Sequence, residues 1–309
     1  MNRGKRFKRG SALVAVIWLI AILALASVAA LKVVAFDLDV ASAKINGFRA
    51  QQLAEMGIAI GANPSVERGD PILSQWSDEN DEGFEVKLVS EGGKFNINAL
   101  LAKDDKNLLK SMFIDWGLDI DQAAAVVDAL ADWMDPGDEE ELNGAEVAYY
   151  EEIGRVNQPF NRPFYNLEEM RLVRGMDLVE AYRPDWRSWF TIWSSGGLDL
   201  NEASPELIGV AAEVPTENAT IIPETIIGPD GIRDTDDDVP FRSQAEALAL
   251  LGVNPNLRPD ISARFTVNDT TTRIESIGTA SGVRRKITLV VRNRTGQPAI
   301  LERTEEVIP

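Results

Sequence analysis

From Ser11 to Leu31 the chain reads SALVAVIWLIAILALASVAAL, 21 residues without a charge. At about 1.5 Å per residue a helix of that length crosses a hydrocarbon core roughly 30 Å thick. Beyond it the apolar positions thin to a stripe at spacings of three and four, through Leu38, Ala41, Ile45, Phe48, Leu53, Met56 and Ile60. The pattern predicts one helix over 11–62, its first half in lipid and its second half packed on a folded body. An anchor followed by a separate helix fits the same residues. Gly47, Gly57 and Gly61 each weaken such a helix by about 1 kcal/mol relative to Ala, and Asn63-Pro64 ends it.

After a polar stretch over 65–83, FEVKLVS (84–90) and KFNIN (94–98) alternate on either side of Gly92-Gly93, which predicts a hairpin. The period then turns helical through DDKNLLKSMFIDWGLD, DQAAAVVDALADWMD and NLEEMRLVRGM, where Asn166 and Glu169 form an expected N-cap pair. WFTIW (189–193) returns to strand character. GGLDLNEAS then looks like a second version of GGKFNINAL, one strand-to-helix turn used twice, and Ser204-Pro205-Glu206 starts a helix. The helix FRSQAEALALLGV precedes a β-rich end, with Thr272–Gly278 and Val283–Asn293 as an antiparallel pair and AILERTEEV as a last strand. The expected fold is α+β: a long N-terminal helix on an antiparallel sheet, the α/β domain being 63–100 and 186–309, with a helical domain inserted over 101–185.

Charge fixes the orientation. MNRGKRFKRG carries five basic residues and no acid, and the positive-inside rule keeps such a leader in the cytoplasm and sends the rest outside. The formal charge is −18 in all and −23 beyond that leader, which argues against binding a nucleic-acid backbone and suits cations. With no Cys and no His, disulfides, thiolate zinc sites, cysteine nucleophiles and imidazole chemistry are excluded. Paired carboxylates such as Glu168 and Glu169 fit helix capping better than acid–base work, and no nucleophile, phosphate loop or cofactor fingerprint accompanies them. The chain reads as non-enzymatic. Trp116, Trp133, Trp186, Trp189 and Trp193 read as core rather than as a stacking surface.

Three readings of the N-terminus compete: a signal peptide, a plain anchor, and a leader cut directly before the span. The span exceeds a signal-peptide h-region of roughly 7 to 15 residues. The junction Arg9-Gly10-Ser11 resembles the processing site of type IV pilins and type II secretion pseudopilins, which implies cleavage between Gly10 and Ser11 by a prepilin peptidase. Most such chains carry Glu at the fifth residue after the cut, and here that position is Ala15. A carboxylate in lipid costs about 2.5 to 3.5 kcal/mol and is kept where it meets a positive partner; this chain lacks it.

Asp132-Trp133-Met134-Asp135, Gly144-Ala145-Glu146-Val147-Ala148-Tyr149-Tyr150 and Met170-Arg171-Leu172-Val173-Arg174-Gly175-Met176 resemble the helical domain of the K subunit of type II secretion. The missing membrane glutamate matches that subunit too. The resemblance implies a single-pass inner-membrane minor pseudopilin whose C-terminal domain lies in the periplasm, at the tip of the pseudopilus with the I and J subunits. There it starts or caps assembly and supports secretion across the outer membrane. The implied partners are minor pseudopilins I and J, the major pseudopilin, the prepilin peptidase and the inner-membrane assembly platform. The alternative is a minor pilin of a type IV pilus, used for adhesion or DNA uptake.

Asp135, Asp138 and Glu139 sit in a Pro-Gly turn after a helix, where hard oxygen ligands can fold around Ca²⁺. The resemblance implies calcium in this domain without matching each ligand, and Asp132 or Glu146 can stand in for one of these residues. Asp234, Asp236 and Asp238 have the spacing of the first EF-hand ligands, but Val239 stands where the loop needs Gly and Ala245 holds the twelfth position. An EF-hand is rejected there, leaving an irregular Ca²⁺ loop or a solvated charge run. LDLNEASPELI resembles the opening of a helix-hairpin-helix DNA module, yet no Gly-x-Gly hairpin follows and Glu213 and Glu217 replace basic residues. No nucleic acid is expected.

Overall fold

A computed structural model describes residues 10–308, with side chains from Leu13 onward. The basic leader lies outside the described residues, and of the cleavage junction only the backbone of Gly10 and Ser11 is described, as the start of a helix. Helix α1 (Gly10–Gly61) runs unbroken for 52 residues, about 78 Å. The single-helix reading therefore holds. Its N-terminal part is exposed along its length among the described residues and is long and apolar enough to cross a membrane. Packing begins at Gly47 and continues through Ala50, Ala54, Ile58 and Gly61.

That face rests on a fully antiparallel sheet in the order β1 (Ser74–Ser77), β2 (Glu82–Ser90), β7 (Thr271–Ala280), β8 (Val283–Arg292), β9 (Ala299–Ile308). Alternation makes the fit. In β2, Phe84, Val86 and Leu88 turn to the helix while Glu85 and Lys87 face solvent. Helix and sheet come close because small residues meet: a Cβ on Gly57 would lie 2.2 Å from Ser276 Oγ, and one on Gly278 2.0 Å from the Ala50 carbonyl. Ion pairs Arg49–Glu82 and Arg303–Glu55, each 2.5 Å, flank the joint.

Strands β2 and β7 are hydrogen-bonded neighbours, with Glu82 opposite Ala280 and Ser90 opposite Thr272, yet residues 91–270 lie between them in sequence. Those residues make two helical excursions. The first opens with β3 (Phe95–Asn96) and carries α2 (Ile97–Ala102), α3 (Lys106–Asp115), α4 (Ile120–Met134), α5 (Val147–Glu152) and α6 (Met176–Tyr182). It closes with β4 (Phe190–Thr191), parallel to β3. The second opens with β5 (Leu198–Asp199) and carries α7 (Pro205–Ala212), α8 (Thr216–Ala219), α9 (Ile221–Ile226), α10 (Gln244–Leu250) and α11 (Pro259–Ser262). It closes with β6 (Phe265–Thr266), parallel to β5. The chain then enters β7 (Thr271–Ala280), β8 (Val283–Arg292) and β9 (Ala299–Ile308).

The expected hairpin between 84–90 and 94–98 does not form. β2 pairs with β1 and β7, whereas Phe95 and Asn96 pair with Phe190 and Thr191. Gly92-Gly93 turns the chain at a crossing point rather than joining two paired strands: a Cβ on Gly92 would stand 2.4 Å from Asp269 Cβ, and one on Gly93 2.7 Å from the Glu202 carbonyl. Only Phe190 and Thr191 of 189–193 are strand. Asn166 caps as expected, accepting from Glu168 N at 2.8 Å, but the turn it starts is 3₁₀ and Glu169 pairs with Arg162 at 3.0 Å instead.

The similarity between GGKFNINAL and GGLDLNEAS extends further than the turn. Asn98 brackets the backbone of buried Phe164, accepting from its N–H at 2.8 Å and donating to its carbonyl at 3.0 Å. Asn201 accepts from Phe241 N–H at 2.8 Å and donates to its carbonyl at 3.0 Å. Each excursion closes alike, through Arg183-Pro184-Asp185 before Phe190-Thr191 and Arg258-Pro259-Asp260 before Phe265-Thr266, with Arg183–Asp185 and Arg258–Asp260 both ion-paired at 2.9 Å. The two excursions share one large core, containing Trp116, Trp133, Trp186 and Trp189, while the helix–sheet body has a separate smaller one.

Candidate functional site

The acidic turn of the first excursion is built on α4. The helix is capped by a reciprocal Asp119–Gln122 box and buries Asp128, Asp132 and Trp133. Asp132 accepts backbone N–H groups from Glu141 at 3.1 Å and Ala145 at 2.7 Å, so the chain after the Pro136-Gly137 turn wraps around its carboxylate. Gly144 is required by this wrap, since a Cβ there would fall 1.8 Å from Asp132 Oδ2. Asp135 ends the helix and accepts from Gly137 N–H at 2.7 Å.

Glu146 follows as the residue before α5, 6% exposed, with neither carboxylate oxygen hydrogen-bonded. Burial, then the charges of Asp132, Asp135 and Asp138, push its pKa up to about 7. The nearby Val147 amide only partly opposes this rise, and a buried carboxylate facing other acids with neither oxygen in a full hydrogen bond is costly unless a proton or a cation joins it. Asn161 completes the rim. Its amide nitrogen donates to the Gly137 carbonyl at 3.0 Å and Asp138 Oδ1 at 3.4 Å, and its buried carbonyl oxygen has no partner. The unpartnered atoms are all acceptors, the donor set that suits a hard cation. The structure thus gathers Asp132, Asp135, Asp138 and Glu146, and leaves Glu139 exposed in the turn. Among the described residues no three acidic side chains already meet at ligand geometry. Asn161 carries no charge and sits outside the acidic run, so its part in this rim was not legible in the sequence.

The second acidic loop is arranged otherwise. Asp238 accepts from Asp234 N–H at 2.8 Å and Gly228 N–H at 3.2 Å, and Asp237 from Asp230 N–H at 3.1 Å and the Thr235 hydroxyl at 2.7 Å. Asp234 lies near Arg68 and Arg233, at 3.5 and 3.8 Å, and Asp236 is exposed. Backbone amides and arginines thus take up the carboxylates that the spacing had singled out, apart from Asp236.

Where the excursions join the sheet, Glu91 is fully buried and accepts from Arg273 at 2.5 Å and from the Thr191 hydroxyl, with Lys94 at 3.8 Å. Burial works to raise its pKa, but the charges of Lys94 and Arg273 and the two hydrogen bonds outweigh it and hold the carboxylate below its usual range. This network ties the lobe that the two excursions form, residues 91–270, to β7. Glu168 and Glu169 pair with Arg187 and Arg162 at 2.6 and 3.0 Å.

Position completes the picture. Along α1, Gly47 lies against Val283 and Arg285, Gly57 against Val86 and Ser276, and Gly61 against Ile274 and Leu88. The lobe leaves β2 after Ser90 and re-enters β7 at Thr271, hence at the end of the sheet farthest from the apolar half of α1. In that apolar half no described residue from Leu13 to Phe36 is acidic, Ala15 included.

A comparison with curated protein sequences gives no match. In fold, the protein is similar to a chain of the crystal structure of the GspK-GspI-GspJ complex from the enterotoxigenic Escherichia coli type 2 secretion system, with a TM-score of 0.63 and 14% identity over 88% of this chain and 99% of that one. Residues 93–184 match the family model for protein K of the type II secretion system. That segment covers most of the first excursion with its acidic turn, and over it the chain matches the type II secretion system protein K family.

Proposed function

We propose that this protein is a minor pseudopilin that starts or caps the periplasmic pseudopilus, standing at its tip beside subunits of the I and J type, with α1 anchored in the inner membrane until assembly. It is a structural part and carries out no reaction. The observation that carries the reading is the place of the lobe: residues 91–270 extend from the end of the sheet remote from the apolar helix. A helical filament of such subunits grows by stacking bodies along that axis, and a lobe there fills the space of the next subunit. An apolar segment without a carboxylate adds to this, because it offers nothing to pair with a positive group above it. Labels on the lobe should mark one end of sheared filaments, and labels spread along the shaft would overturn the assignment.

Calcium belongs to the same proposal. Glu146, with Asp132, Asp135, Asp138 and the carbonyl oxygen of Asn161, would hold the ion, which supplies the positive charge that the buried carboxylate lacks. The fit rests on those unpartnered acceptor oxygens. In calcium the thermal midpoint should rise above that in chelator, because a ligand stabilises only the state that binds it. Asp135→Ala with Asp138→Ala should remove the rise, and equal melting of the unaltered protein in both conditions would end this part of the proposal.

A further inference from the structure

A broad cleft lies away from the acidic turn, where the loop after α1 meets the second excursion and the chain leaving β8. It has a volume of about 860 Å³, and three arginines converge on it: Arg68, Arg233 and Arg294. Two of them are answered by acids. Arg68 makes a two-pronged contact with Glu202, both bonds 2.8 Å, and Arg233 stands 3.8 Å from Asp234 and from Asp238. Arg294 is different. It donates to the backbone carbonyls of Val66, at 2.7 Å, and Asn63, its Nε is buried without a partner, and it makes no ion pair among the described residues. Burial and then the neighbouring Arg68 push its pKa down, which is the mark of a guanidinium lacking a counter-ion.

The rest of the lining sets the kind of anion. Glu67, Asp70 and Asp236 also line the cleft and make no ion pair among the described residues. A phosphate or a polyanion would be repelled by these groups, whereas a single carboxylate flanked by cations meets attraction from both sides. Guanidinium and carboxylate also match in shape. We propose that this cleft binds a peptide segment of a partner protein in which one carboxylate is flanked by basic side chains, the carboxylate on Arg294 and the basic groups on Glu67, Asp70 and Asp236. The inference does not depend on where the subunit sits in a filament.

The test uses the full chain in detergent micelles, with chelator present so that bound metal plays no part. Two fluorescein-labelled, end-blocked peptides with the cores Lys-Asp-Lys and Lys-Asn-Lys are titrated by polarisation. The first should bind saturably and the second about tenfold more weakly, the size of one charge-assisted contact. Arg294→Gln should bring the two to the same affinity, and Asp236→Asn should weaken both several-fold while keeping the difference between them. Equal binding of the two peptides by the unaltered protein would overturn the proposal without reference to any variant. So would a difference that survives Arg294→Gln, or displacement by inorganic phosphate at concentrations where acetate has no effect.

Discussion

At the scale of residues, the joint between lobe and sheet depends on Asp199. It is 2% exposed and accepts from Asn201 N–H at 2.9 Å and Asp269 N–H at 2.8 Å, while Asp269 accepts in turn from Ser195 and Thr271. Burial outweighs the two hydrogen bonds and sets its pKa at about 6. The unfolded group ionises near 3.8, so between the two values the folded state holds the extra proton and stability falls as pH rises. The expected loss from this group is about 3 kcal/mol at most between pH 4 and pH 6. Asp199→Asn should flatten that part of the unfolding-versus-pH curve, even if it lowers the curve as a whole; an unchanged slope would show that the carboxyl does not titrate there. Glu91, held low by its cations, acts in the opposite sense, its contribution fading as pH falls below the ordinary carboxylate value of 4.5. Gly144→Ala should cost about 1 to 3 kcal/mol in denaturant titration, because the new methyl meets a carboxylate held by two amides.

At the scale of elements, α1 separates two uses of glycine. All three glycines lower helix propensity equally, but only two are needed for packing. A Cβ on Gly57 or Gly61 would come within 2.2 or 2.7 Å of the sheet, whereas on Gly47 the nearest atom is the end of the Arg285 side chain at 3.4 Å. Gly47→Ala should therefore raise the thermal midpoint, by up to about 1 kcal/mol in stability, and Gly57→Ala and Gly61→Ala should lower it. A fall on Gly47→Ala would mean that the helix approaches the sheet more closely there. The two excursions teach a related lesson. Their matching openings were visible in GGKFNINAL and GGLDLNEAS, but each closing strand has only two residues, too few for periodicity to mark. Parallel pairing with the opening strand is what defines them.

At the scale of the whole molecule, apolar helix, sheet and lobe follow one another in line. If the lobe sets the position in the filament, a chain without residues 91–270 that keeps Ala15 should enter the shaft, provided that β2 and β7 are rejoined by a short turn and still pair. Ala15→Glu in the intact chain should leave the subunit at the end. Cross-linking along sheared filaments reads both, and a full-length Ala15→Glu protein found in the shaft would show that the carboxylate, not the lobe, decides.

By itself the sequence determined the features that local patterning controls. An uncharged run fixes a membrane-length helix, alternation in 272–293 fixes an antiparallel pair, and the motif around Asp132, Glu146 and Arg174 carries the likeness to protein K over 93–184. Tertiary structure alone decided which segments cross and which groups are left unanswered. Gly92-Gly93 carries every local sign of a hairpin, yet a strand's partner is chosen by nonlocal packing, and here Asp199 and Asp269 occupy the space beside it. Acidic spacing singled out Asp234, Asp236 and Asp238 as readily as Asp135 and Asp138, since spacing counts carboxylates but not the donors that the fold brings to them. Backbone amides hold Asp237 and Asp238 in full hydrogen bonds, whereas at Glu146 only the Val147 amide stands nearby and both carboxylate oxygens stay unpaired. That difference arises only when distant parts of the chain close around the site.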